Sequence, residues 1–212
     1  MSELRSTLWE KQEEAAEMIA AITVIASTHS SVVKTSIMKS AHMLLLYNAV
    51  ESLTYLSLEK VHEKSSVFSY TALSVKFRSI WSDYYLSSHA NSSHSSHLEK
   101  TVDGSLRMPD LQEFLKRIKV FSGNLDARKL NQILDKYGIK RLHGPELSRL
   151  KLVKDKRNSL AHGELMFKEG CRDISVRELD NLTSSIFAVL GMLVDNTENF
   201  LDAKGYLSSP SG

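Results

Sequence analysis

Met43-Leu44-Leu45-Leu46-Tyr47-Asn48-Ala49-Val50 is the most apolar run of the chain, and it lies inside residues 35–63, a stretch free of Gly and Pro. Read at 3.6 residues per turn, Ile37, Ala41, Leu44 and Leu45 form one stripe, yet Met43, Leu46 and Val50 fall outside it. A helix that is apolar nearly all round is buried on several sides, either in a bundle or under a second subunit. The run is far too short to span a bilayer.

The same period extends in both directions. Leu4, Leu8, Ala15, Met18, Ile19, Ile22 and Ile25 predict a helix over 3–28, and the aromatic-rich stretch 67–86 predicts a third. Residues 87–96 contain only Ser, His, Asn, Ala and no apolar pattern, so a loop insert is expected at about 87–105. Pro109 opens a short helix to about Val120, and residues 125–137 form another, closed by Gly138. Gly144-Pro145 starts a helix that runs through Arg157 to His162 and meets Gly163. Ser175-Val176-Arg177-Glu178 is a capping box launching a long helix with Leu179, Leu182, Ile186, Leu190, Leu193 and Leu201 along one face. No strand and no internal repeat emerges, so the fold class is all-α.

Composition agrees. Hydrophobic residues at 42% and charged residues at 25% exclude a mainly disordered chain, and 3 Pro with 9 Gly are too few for an all-β protein. The polar start, Met1-Ser2-Glu3-Leu4-Arg5, has no secretory signal, and the lone Cys171 suits a reducing compartment, so a cytoplasmic location without membrane contact is expected. The net charge of +2 hides an asymmetry: residues 107–157 hold 14 Lys or Arg against 6 Asp or Glu. Concentrated positive charge suits a phosphate-binding face, although a solvated lysine surface has the same composition.

Within that basic quarter stands Lys156-Arg157-Asn158-Ser159-Leu160-Ala161-His162-Gly163. On a helix, Asn158 and His162 share a face, and Arg157 is long enough to reach the same opening. Histidine exchanges a proton near neutral pH, and arginine bridges phosphate oxygens and stabilises developing negative charge. Together these groups can cleave RNA without a metal: the 2′-hydroxyl attacks its own phosphate and leaves a 2′,3′-cyclic phosphate. An Arg and a His at this spacing also cap or bridge ordinary helices, so spacing alone leaves catalysis open.

Arg157-Asn158-Ser159-Leu160-Ala161-His162-Gly163 resembles the Arg-x4–6-His signature of the HEPN superfamily. With Phe121-Ser122-Gly123-Asn124-Leu125-Asp126, Lys136-Tyr137-Gly138-Ile139 and Phe167, the chain resembles the MAE-type HEPN-like nucleases of bacteria over about 36–60 and 105–200. The resemblance implies one elaborated HEPN-like helical domain over 1–212 that dimerises, bringing two such segments into one cleft. It implies a metal-independent endoribonuclease needing no cofactor, acting as a toxin or antiviral effector, with Arg157 and His162 catalytic and Asn158 their polar companion. A regulatory or antitoxin protein would be a further partner.

Other residues have both functional and plain structural roles open to them. Asn48 and Glu51, inside the apolar second helix, are candidates to orient Arg157 or His162, or else simple core hydrogen-bonders. Arg141, Lys151, Lys154 and Lys156 are candidate RNA contacts. His89, His94 and His97 lack companion acids or Cys, so no metal site is expected. Cys171 lacks an activating neighbour, and the aromatics of 67–86 fit a core better than base stacking. The competing functions are a non-catalytic RNA- or protein-binding HEPN module and a helix-turn-helix DNA binder over 110–140.

Overall fold

The computed structural model describes residues 1–28, 32–86, 103–120 and 124–208. Among them the secondary structure is all-α, with two isolated β-bridges and no strand. The helices are α1 (Glu3–Ser27), α2 (Val32–Ser65), α3 (Val75–Leu86), α4 (Leu111–Arg117), α5 (Ala127–Tyr137), α6 (Arg149–Ala161), α7 (Phe167–Gly170) and α8 (Val176–Asp202), with 3-10 turns at Tyr70–Ala72 and Pro145–Ser148. No described helix is long and apolar enough to cross a membrane. The insert expected at 87–105 lies outside the described residues as far as 102.

The chain divides into two compact units. The first comprises Met1–Thr54, Gly123–Arg128 and Leu142–Val194. Its α8 face follows the expected stripe, with Leu179, Leu182, Ile186, Leu190 and Leu193 all buried. Each such side chain contributes about 1.5–3 kcal/mol through the water it sheds. The helix is started by the capping box read from the sequence: Ser175 N–H donates to Glu178 Oε2 at 2.9 Å, and Glu178 N–H to Ser175 Oγ at 3.1 Å. Ser175→Ala is expected to lower stability by about 1 kcal/mol, and the thermal midpoint by about 2–4 °C in calorimetry. An unchanged midpoint would show that the cap contributes nothing.

On α2 the buried face is not the one the periodicity picked. Met43, Leu46 and Val50 are fully buried, whereas Ile37 is 42% exposed and Ala41, Leu44 and Leu45 are half-buried or less exposed than it. Apolar residues almost all round give the 3.6-residue period no face to select. Polar residues select it instead. The Lys39 ammonium donates to Ile174 O, Ser40 Oγ to Phe167 O at 2.8 Å, and the His42 ring meets Thr183 Oγ1 at 2.7 Å.

The second unit comprises Tyr55–Ser122, Lys129–Arg141 and Asp195–Gly212. Its centre is aromatic. Phe77 lies 6.0 Å from both Tyr137 and Phe200, and His62 sits 5.1 Å from Phe114 and 5.6 Å from Tyr137 between ring centroids. The third helix begins at Val75 rather than 67. The hydroxyls of Ser65 and Ser66 turn back onto the carbonyls of His62 and Glu63 and end α2. An antiparallel bridge from Leu73 to Leu207 and the bond from Ser74 N–H to Tyr206 O (2.9 Å) then hold the chain extended. Helix α4 is shorter than expected, because Asp110 accepts Glu113 N–H at 2.8 Å as its cap and the backbone turns extended at Ile118. Gly138 closes α5 as the sequence suggested, with φ at +76° and Ile139 N–H bonded to Leu134 O.

Candidate active site

Helix α6 carries the Arg-Asn…His segment within the first unit. Leu150, Val153 and Leu160 bury its inner face, and between them only Lys151 and Asp155 are exposed. The preceding Pro145–Ser148 is a 3-10 turn, so the α-helix starts later than its Gly-Pro signal. At the far end His162 is the cap, its N–H bonded to Asn158 O at 2.9 Å, and Gly163 takes φ +73°. A Cβ at Gly163 would meet nothing within 4 Å, so the backbone angle alone calls for glycine there. Ser159 Oγ donates to Glu164 Oε2 at 3.0 Å and fastens the turn after the helix. His162 is exposed, and the Arg157 side chain is 26% exposed.

Two residues of α2 and its own neighbour Asn158 hold Arg157. Its guanidinium lies 4.7 Å above the centre of the Tyr47 ring, and its NH2 approaches Glu51 Oε2 at 3.9 Å. Its NH1 donates to Asn158 Oδ1 at 3.1 Å, while Asn158 Nδ2 donates to Asn124 Oδ1 at 2.6 Å. Beneath this, the Tyr47 hydroxyl accepts Leu125 N–H at 2.9 Å, with the Glu51 carboxylate one turn further along α2. Burial, with the Glu51 charge beside it, pushes the Tyr47 hydroxyl up to about 12. The phenol is therefore neutral at physiological pH. Helix α5 begins at Ala127, two residues later than its sequence pattern.

Glu51 thus lies on the side of α2 that approaches Arg157. Asn48, three residues earlier, is exposed and lines a recess with Lys11, Glu14, Leu44 and Leu45. The candidate RNA contacts are all ion-paired. Lys151 binds Asp155 at 2.7 Å, Lys154 binds Asp126 at 3.2 Å, and Lys156 binds Gly170 O at 2.7 Å and Asp173 at 3.1 Å. Arg141 belongs to the second unit and is clamped by Asp135, with Nε 2.9 Å from both carboxylate oxygens. Two residues of the network, Tyr47 and Asn124, have no role that the sequence alone reveals. The one signal for Tyr47 is its place four residues before Glu51 on an apolar helix.

Cys171 is fully buried, and burial pushes its thiol up, away from nucleophilic use. Among the described residues no three of His, Cys, Asp and Glu gather as metal ligands, while His89, His94 and His97 lie outside those residues.

The described residues are all-helical, and α6 carries Arg157, Asn158 and His162 near its end. The family model for HEPN_MAE_28990-like HEPN matches residues 1–206, and the chain belongs to this family. No curated protein and no solved structure matches it. Family membership points to a nuclease or an RNA-binding module.

Proposed function

We propose that the protein is a metal-independent endoribonuclease that cuts RNA by 2′-hydroxyl attack, with Arg157 and His162 as catalytic residues and Asn158 as their companion. The observation that carries this reading is the suspension of Arg157 between Tyr47, Glu51 and Asn158 with part of its side chain still open to solvent. A guanidinium held before substrate arrives does not reorganise as phosphate charge grows, and that advantage is the usual source of electrostatic catalysis. His162, exposed at the helix end, serves as general acid or base. One copy supplies one Arg and one His, so a two-fold dimer completes the site with a second pair. Such an activity acts in the cytoplasm as a toxin or antiviral effector, restrained by a regulatory protein.

The test is digestion of total RNA in EDTA, followed by end analysis. The expected products carry 2′,3′-cyclic phosphate and 5′-hydroxyl ends, and neither DNA nor 2′-O-methylated RNA is cut. A gel shift with RNA left intact would assign the protein to the binding-module reading instead. Asn124→Ala gives a finer check, because Asn124 is exposed and its side-chain oxygen meets Asn158. Loss of one hydrogen bond is expected to slow cleavage by about threefold to tenfold with the thermal midpoint unchanged. Equal rates for variant and wild type would remove Asn124 from the site.

A further inference from the structure

Asn48 is the one amide in the apolar run 43–50 of α2, and it is exposed rather than drawn into the core. It lines a recess of about 300 Å³ within the first unit. Ala41, Leu44 and Leu45 of α2 give that recess an apolar floor. The two leucines are only half-buried, and a flat apolar face laid on them would remove the rest of their surface from water. From α1 the recess is lined by Lys11 and Glu14, three residues apart and so on one face of that helix. Glu14 is exposed and Lys11 half-buried. The polar groups differ in kind: the carboxylate only accepts hydrogen bonds, the ammonium only donates them, and the amide does both.

The recess adjoins the arginine site along α2. Asn48 follows Tyr47 directly and precedes Glu51 by three residues, so the Cβ atoms of Asn48 and Glu51 are about 5–6 Å apart. Tyr47 and Glu51 are the α2 residues that approach the Arg157 guanidinium, at 4.7 and 3.9 Å. A phosphodiester engaged by Arg157 therefore has the recess one helical turn away, within reach of the base on a neighbouring sugar. The volume is at the lower end of small-molecule sites and suits a single ring system.

We propose that this recess reads a guanine splayed out of single-stranded RNA and so sets the nucleotide beside which the chain is cut; the assignment rests on the ribonuclease reading of Arg157 and His162. Guanine is the one RNA base whose Watson–Crick edge carries two neighbouring donors, N1–H and N2–H, beside an acceptor, O6. Glu14 accepts the donor pair, Lys11 donates to O6 and the Asn48 amide donates to N7, with the ring plane against Leu44 and Leu45. Every other base sets a lone pair where guanine has one of those two protons. That lone pair faces the Glu14 carboxylate, and the repulsion is the source of discrimination.

The experiment is fluorescence anisotropy on the full chain carrying His162→Ala, so that binding is read apart from cutting. The probes are labelled uridine oligomers, unbroken or with one central guanosine, adenosine, cytidine or inosine. The guanosine probe is expected to bind about tenfold tighter than the adenosine, cytidine and all-uridine probes. Inosine, which lacks the 2-amino group, should fall between. Glu14→Gln and Asn48→Ala, both at exposed positions, should each erase most of the preference when added to this chain. Chains with His162 intact should cut beside guanosine in the same oligomers, and Glu14→Gln should spread the cuts over all nucleotides. Equal affinity for every probe, a guanosine preference that survives both substitutions, or no binding at all would each overturn the assignment. Guanosine-selective binding without cleavage would retire the ribonuclease reading and keep the recess, whereas cleavage indifferent to sequence would do the reverse.

Discussion

His162→Ala and Arg157→Ala should each lower RNA cleavage by about 10²–10⁴-fold while leaving the helical spectrum and thermal midpoint close to wild type. The small structural effect follows from placement: His162 is exposed at a helix end, and Arg157 retains a quarter of its side-chain exposure. A structural His or Arg would give the opposite pattern, with stability falling and any activity falling in step. A site shared by two copies, as proposed, predicts a further result. Mixing the two inactive variants allows hybrid dimers with one intact Arg and one intact His in the same cleft, and partial activity should return. Complementation that fails at protein concentrations where the dimer is demonstrably formed would show that each chain works alone. Better expression of His162→Ala than of wild type would add evidence of toxicity to the host.

The second large effect concerns acid. His42 and His62 are both fully buried, and burial pushes each from 6.5 down to about 4. His62 is saturated: Pro109 O accepts Nδ1–H at 2.8 Å, and Nε2 accepts the Tyr137 hydroxyl proton at 2.8 Å. Thr183 gives its own proton to Leu179 O, so it must accept from His42 Nε2–H. His42 Nδ1 is then a bare nitrogen with no partner among the described residues. Both rings are therefore neutral in the fold. Above pH 6.5 they are neutral in the unfolded chain as well, and stability is complete. As pH falls from 6.5 towards 4, the unfolded chain takes up protons that the fold refuses, and stability drops; below about 4 the loss is finished. The loss amounts to roughly 3 kcal/mol per ring, an upper figure for groups that can relax as they charge.

Urea midpoints measured between pH 7.5 and 4.5 should fall steadily, and His42→Gln should flatten the slope. The carboxylate pairs act elsewhere on the scale. Asp135 beside Arg141 is held below 3.8 by that partner, so its contribution goes only at lower pH. A midpoint constant down to pH 4.5, or imidazole carbon shifts showing charged rings at pH 5 in the folded protein, would remove both histidines from this account.

How far the sequence foretold these features depended on how local their causes were. The Ser175–Glu178 cap and the Gly138 stop involve groups three to five residues apart, so spacing alone sufficed. The Arg157–His162 segment was legible for the same reason, since one helix presents it. Failure came where the deciding partner is far along the chain. The buried side of α2 is chosen by Ile174, Phe167 and Thr183, more than a hundred residues away, and no period within α2 encodes that choice. The same holds for Tyr47, which reads as one more apolar residue until Leu125 and Arg157 are brought to it. Asn124 sat within a quoted motif without a task, because its partner Asn158 is 34 residues away. The paired lysines show the converse: net charge reports how many cations exist, and only the fold reports which carboxylates have already claimed them.

Neither compact unit is a single stretch of chain. The unit that bears Arg157 takes Tyr47 and Glu51 from one segment, Asn124 from a second and His162 from a third. It cannot be excised as a cassette. Grafting residues 142–194 onto another protein would transplant the signature without the ring and carboxylate that aim its guanidinium, so a recombined fragment should inherit the motif and lose the trade.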